Sequence, residues 1–308
     1  MRISFMMMSV VLLSGCQTLK IIATPTTEAA SAEQELTAVI PVTDTLLKTD
    51  GKGISLWEAW FGKKNLQDDI KTCGVSPPKT MATLGAGVLT ALGGVAWDLA
   101  VDAANSKVEE IQEKSMRTWS ATWFGTPAAW QQHSCYALVR YDRQNPFNAY
   151  MAVLLANRDF NSGGDKVSAM QFTPLAVVSK TSLAITKEES DGRGKVGLSI
   201  GLAVLSFKDG EKVESAADAV SVGGVSVANA GVNASPVRLD VSKGLANYSQ
   251  PLQYYSVGDI YIKFSVVESG SLAGVDVKAK AEIKAVTDAL GPIVKDALKN
   301  KFEAKSAD

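Results

Sequence analysis

The chain has a single histidine, His133, and only three cysteines in 308 residues. It contains no Cys-x-x-Cys pair. Together these shortages leave no ligand set for a structural or catalytic zinc site. Charge of one sign is also lacking. The chain has 31 basic and 32 acidic residues, and no basic stripe forms along it. A nucleic-acid partner is therefore not expected. Neither a P-loop nor an EF-hand loop occurs. No serine is nominated as a nucleophile and no dinucleotide loop as a binding element. No metal or cofactor is expected.

Long apolar runs are scarce as well, and the first one is short. Met1-Arg2 is positive, and residues 3–13 are uncharged and mostly apolar. That stretch is too short to span a bilayer as a transmembrane helix. It has the length of a signal-peptide core. Leu13-Ser14-Gly15-Cys16 follows. This tetrapeptide resembles the lipobox of bacterial lipoproteins. A branched apolar residue precedes two small ones that let the backbone approach a protease, and only a thiol can carry a thioether-linked diacylglycerol. The resemblance implies a signal peptide over residues 1–15, cleavage before Cys16 and lipidation of that cysteine. Two or more acyl chains, each buried methylene contributing about 0.8 kcal/mol, make a stable membrane anchor. Gln17, rather than an aspartate, follows the cysteine. The expected location is the outer membrane, facing the periplasm, with the surface as an alternative.

Cys73 and Cys135 remain. An even count in an exported chain points to a disulfide. It would close a loop of about sixty residues and contribute roughly 4 kcal/mol in the chain-entropy model.

Residues 16–50 read as a lipidated tether, rich in Thr, Ala, Glu and Pro between Thr24 and Glu35. Fully extended at ~3.3 Å per residue, it would reach on the order of 100 Å. Residues 51–133 read as a helical block. Ser55 with Glu58 is a capping-box pair ahead of Leu56, Trp57, Trp60 and Phe61. Gly74 and Pro77-Pro78 mark a loop. Residues 81–97 carry no charge, and Ala82, Ala86, Gly87, Ala91, Ala96, Ala100 and Ala104 recur near fourfold spacing. A small-residue helical face of this kind fits a core helix over 81–104, with protein–protein packing or membrane insertion as alternatives. Trp119 and Trp123 are spaced i, i+4, which suits one face of a further helix.

Residues 134–270 change texture. Apolar and β-branched residues alternate over 196–204 and 260–266, and strands are expected there and near 135–141, 149–155, 167–178, 220–227 and 237–241. Asp209-Gly210 is the strongest hairpin signal, and Gly223-Gly224 suits a bulge. An antiparallel β-sandwich is expected. In residues 271–308, Ile283, Val286, Leu290, Ile293, Val294 and Ala297 follow helical spacing, interrupted at Gly291-Pro292. The expected fold class is thus α+β: an N-terminal helical block, an antiparallel β-sandwich and a C-terminal helix.

Candidates for chemistry are few. His133 stands beside Cys135 with no partner residues at a telling spacing. Glu188, Glu189 and Asp191 cluster before a glycine turn, where paired carboxylates would suit glycoside hydrolysis and solvated charge is the plainer reading. The tryptophans are the candidate binding residues: Trp57 and Trp60 before Cys73, and Trp119, Trp123 and Trp130 before Cys135. They could stack on a ligand or anchor a protein partner, or they could fill a core. The expected function is a non-catalytic envelope lipoprotein: an accessory, scaffold or binding component of a periplasmic or outer-membrane assembly. It would meet the membrane through its N-terminal lipid and bind a protein partner in the envelope. The alternatives are a hydrolase of envelope polymers and a membrane-inserting or pore-associated protein.

Overall fold

A computed structural model of the chain describes residues 26–27, 29–30, 35–47, 49, 53–63, 66–74, 114–160, 167–230, 234–241 and 248–271. The fold is two antiparallel sheets. Sheet 1 contains β1 (Glu35–Pro41), β3 (Cys135–Asp142), β4 (Ala149–Phe160) and β5 (Val167–Ser179) in that spatial order. Two short strands, β8 (Val237–Asp240) and β9 (Leu252–Tyr255), share the far edge of β5, one at each end. Sheet 2 has the order β2 (Met116–Gly125), β10 (Asp259–Gly270), β6 (Arg193–Lys208) and β7 (Glu211–Ala228). Three α-helices are described: α1 (Leu56–Phe61), α2 (Leu66–Thr72) and α3 (Pro127–Gln131).

The alternating residues of the two sheets meet between them. Val39, Leu138, Val153, Phe172, Leu198, Ile200, Ile262 and Phe264 belong to one continuous buried cluster. The edges also meet: Thr37 Oγ1 of β1 donates to the Ser120 carbonyl of β2 at 2.6 Å. On the opposite side, the backbone amides of Gln253 and Tyr255 in β9 donate to Ser215 and Ser206 of sheet 2. Side chains therefore close both open sides of the sandwich.

The expected helical N-terminal block is not what forms. The three described helices are only six, seven and five residues long, and the N-terminal half supplies edge strands β1 and β2 to the sandwich. Residues 35–41, assigned by composition to a tether, form β1. Trp119 and Trp123 lie on strand β2. A spacing of four satisfies a strand as well as a helix, because i and i+4 share a face at period 2. In β2, Trp119, Ala121 and Trp123 face the core, while Thr118, Ser120 and Thr122 alternate with them, a composition that suits a half-buried strand. Residues 81–104 and the expected C-terminal helix lie outside the described residues, as does Cys16.

Other local expectations take a definite form. Ser55 caps α1 by accepting from the Glu58 amide at 3.1 Å. Asp209 and Gly210 form a two-residue turn with φ 49° and 84°, the both-positive geometry of a tight hairpin. Gly223 and Gly224 sit where the β6–β7 register shifts, opposite Gly197, so two residues face one.

Sheet 1 is buried on both faces. Its outer side carries Ala137, Val139, Ala152, Leu154, Ala176 and Val178, covered by Leu56, Trp57, Trp60, Phe61 and Ile70 from α1 and α2. This explains the near-continuous apolar run of β3, which does not alternate.

Candidate functional site

Cys73 lies just beyond α2 and Cys135 opens β3. Their sulfurs are bonded at 2.12 Å. The bridge pins the helical pair to the outer face of sheet 1. Two further ties act with it. Arg238 of β8 holds Asp69 through two bonds of 2.9 and 2.8 Å, and Trp60 Nε1 donates to the Pro146 carbonyl at 2.7 Å. Burial pushes the Asp69 carboxyl above its ordinary range in spite of Arg238.

The tryptophans fall into two groups on opposite faces of sheet 1. Trp57 and Trp60 belong to α1 and are fully buried against the outer face of sheet 1. Trp119, Trp123 and Trp130 belong to the space between the sheets. There Trp130 stacks on Tyr136 with centroids 3.6 Å apart and meets Trp123 edge-on at 4.9 Å. The disulfide therefore does not draw the two groups into one aromatic platform. Gly125 leaves room for this arrangement, since a Cβ there would lie 2.6 Å from the Trp123 ring.

Two polar clusters that the sequence did not nominate close the two ends of the inter-sheet core. At one end Arg140, almost wholly buried, reaches Glu35 Oε2 at 2.5 Å, the Thr181 carbonyl at 2.7 Å and Glu268 Oε1 at 3.4 Å. Glu268, also buried, accepts from Trp119 Nε1 at 2.8 Å, from Ser182 Oγ at 2.5 Å and from the Leu183 amide at 2.7 Å. Desolvation holds the Glu35 carboxyl above its ordinary range, only partly offset by the Arg140 guanidinium. A carboxylate accepting three hydrogen bonds and an arginine shared between two acids make a fixed network, in which Arg140 Nε alone of the guanidinium nitrogens is buried without a hydrogen-bond partner. It crosslinks β1, β3 and β10.

At the other end, Gln131 Nε2 donates to Tyr254 Oη at 2.7 Å, and Tyr254 Oη donates to Asp159 Oδ1 at 3.1 Å. Asn157 Nδ2 donates to Asp159 Oδ2 at 2.7 Å. Burial raises the Asp159 carboxyl, and burial together with the nearby Asp159 raises the Tyr254 phenol. Tyr254 thus serves as a proton-bearing donor that ties α3 and β9 to β4.

The remaining candidates are dispersed. Burial lowers the His133 imidazole below its ordinary range. Its ring meets the Tyr136 ring edge-on at 6.2 Å. Glu188, Glu189 and Asp191 line the turn into β6. There Asp191 accepts from the Arg193 amide and Glu189 pairs with Lys195 at 3.1 Å, both half-exposed. Two glycine patterns escaped the sequence reading. Gly197-Leu198-Ser199-Ile200-Gly201 has the spacing of a nucleophile elbow, which needs a sharp strand-to-helix turn. Here it runs through the middle of β6, with Ser199 Oγ 3.3 Å from Ser221 Oγ. Gly192-Arg193-Gly194-Lys195-Val196-Gly197 has the spacing of a dinucleotide loop, but leads into a strand, not the N-terminus of a helix.

A shallow, open pocket of about 300 Å³ lies between α1 and the β3–β4 loop, lined by Phe147, Asn148, Lys180 and Ser235. Lys180 Nζ already donates to Asn148 at 3.3 Å. Among the described residues no group of acids, histidines and cysteines could hold a metal ion, and no helix is long and apolar enough to cross a membrane. The chain matches no family model, and neither a curated protein nor a solved structure matches it.

Proposed function

We propose that the chain is a lipid-anchored, non-catalytic lipoprotein of the bacterial envelope. It serves as an accessory, scaffold or binding component of a periplasmic or outer-membrane assembly, on the outer membrane and facing the periplasm. The observation that carries the reading is the Leu13-Ser14-Gly15-Cys16 tetrapeptide behind a positive start and a short apolar run. The Cys73–Cys135 bridge supports it, because such bonds persist in oxidising compartments.

The body begins close to the proposed anchor. Thr26 bridges to Lys187, and the Thr27 amide donates to the Thr186 carbonyl at 2.8 Å. Thr26 lies ten positions beyond Cys16, a span of at most roughly 33–36 Å. That is far less than composition suggested, and it holds the sandwich near the lipid surface. A scaffold role fits a body whose polar interior is spent on ties between strands.

The test is Cys16→Ser in cells fed labelled palmitate. The expected result is loss of label and release of the protein from the membrane fraction. A variant that keeps both label and membrane association refutes the anchor.

A further inference from the structure

The outer face of sheet 2 is covered, yet none of the described elements covers it. On β10 the outward residues are Tyr261, Lys263, Ser265, Val267 and Ser269, because Ile260, Ile262, Phe264 and Val266 face the core. Beside them in β6 stand Ser199, Gly201, Ala203 and Leu205. An outer face open to water would leave these side chains accessible. Instead Lys263 is 1% exposed and Val267 0%, with Ser199, Ala203, Leu205 and Ser265 almost as buried. Among the described residues, the apolar cluster on this face contains only residues of sheet 2 itself. On sheet 1, by contrast, α1 and α2 supply the cover. Small residues run down the middle of the strip, between Met116, Leu205 and Tyr261, and make a trough that suits a helix. The Ser265 and Ser269 hydroxyls are buried without hydrogen-bond partners, which favours an apolar occupant over a polar or wet one.

We infer that the C-terminal segment of this chain fills that trough, laying the stripe Ile283, Val286, Leu290 and Ile293 on the outer face of β10 and β6. Three observations converge on this occupant. The chain leaves the sheet from β10, whose outward side chains are among the most buried, and 37 residues follow Ser271. The stripe has helical spacing, with Lys284, Thr287 and Asp288 between its members and Lys295 and Asp296 just beyond them. The lengths agree: residues 283–297, helical on both sides of Gly291-Pro292, measure at most about 22 Å at ~1.5 Å per residue, and the strip from Lys263 to Ser269 about 23 Å at ~3.3 Å per residue. The sandwich then has an apolar helical cover on both outer faces.

Desolvation lowers the Lys263 ammonium to about 8, so Lys263 is a ready nucleophile toward acylating reagents once uncovered. The experiment therefore reads acetylation of Lys263 by mass spectrometry, against Lys212, whose side chain is half exposed. In the full chain Lys212 is modified and Lys263 is not. Leu290→Asp with Ile293→Asp raises Lys263 modification to the level of Lys212. A folded variant that keeps the Cys73–Cys135 bond and still protects Lys263 overturns the inference and gives the cover to another segment of this chain, such as residues 81–104. Should the double variant unfold, a photocrosslinking phenylalanine analogue at Leu290 of the otherwise unchanged chain decides. Adducts within one molecule to peptides of β6 or β10 support the assignment. Adducts to α1 or α2, adducts only between molecules, or none at all overturn it.

Discussion

Replacing Arg140 by Met tests whether the buried ionic cluster holds the edge strand to the body. The methionine keeps most of the volume and removes the charge. Glu35 loses a partner at 2.5 Å, Glu268 one at 3.4 Å, and the Thr181 carbonyl a donor at 2.7 Å. Two buried carboxylates are then left without a cation, a change that costs about 3–5 kcal/mol when one member of a buried pair is removed. For a body of this size each kcal/mol lowers the melting temperature by roughly 2–4 °C, so a fall of about 6–20 °C is expected. The effect carries a pH signature. The Glu35 carboxyl already sits above its ordinary range, because burial outweighs the guanidinium. A group raised on folding contributes stability that is fully present below its unfolded pKa and lost as pH rises through the folded one. Without Arg140 the rise grows, so the deficit of the variant should widen as pH climbs from about 5 to about 8. Adding Glu35→Gln to Arg140→Met should recover part of it. Urea unfolding of protein lacking residues 1–16 measures all three quantities. A deficit below about 1 kcal/mol, flat across that pH range, would mean the cluster behaves as a surface pair, and the reasoning fails.

Two further outcomes follow from the same structure. Cys73→Ser with Cys135→Ser removes a bridge that spans 62 positions, and urea unfolding should show a loss of about 4 kcal/mol; a loss under about 1 kcal/mol would show that Asp69–Arg238 and Trp60 hold the helical pair alone. Gly258 has φ +92°, and a Cβ there would lie 2.0 Å from the Phe207 carbonyl oxygen, whereas Gly210, at φ +84°, has nothing within 4 Å. Gly210→Ala should cost about 1–2 kcal/mol from backbone conformation alone, and Gly258→Ala clearly more; equal thermal shifts would refute the close approach.

The sheets were legible where large apolar residues alternate with small or polar ones, whether or not the second face meets water. β6 and β10 alternate along much of their length, and Asp209-Gly210 announced its hairpin through residues that accept positive φ. β2 was missed because its signal fits two periods. Trp119 and Trp123 share a face in a helix and in a strand alike, and only the intervening Thr118, Ser120 and Thr122 favour the strand. β1 was missed for a different reason. The polar residues before it read as tether, and an edge strand of seven residues needs only a few inward positions, here Glu35, Thr37 and Val39, two of them polar. Neither strand is stable alone; each forms because β3 or β10 offers a ladder. That information is long-range and has no local trace.

The polar clusters did leave a trace, which lay in exceptions to the pattern and not in any motif. Arg140 is the one charge between Cys135 and Tyr141, and it occupies the same inward alternation as Tyr136 and Leu138. Glu268 continues the inward series of Phe264 and Val266. An ionisable residue at an inward position must find a partner or cost several kcal/mol, so each predicts an opposite charge somewhere across the core. Glu35 answers for Arg140, from a segment that composition had set aside. Its position also gives the N-terminal strand a mechanical meaning. A pull from the lipid proposed on Cys16 would first meet the Thr27–Thr186 bonds. It would then meet the β1 ladder and the Glu35–Arg140 pair at the start of that ladder. The pair adds a buried, charge-assisted tie at the N-terminal end of that ladder, beside the Glu35–Asp142 position.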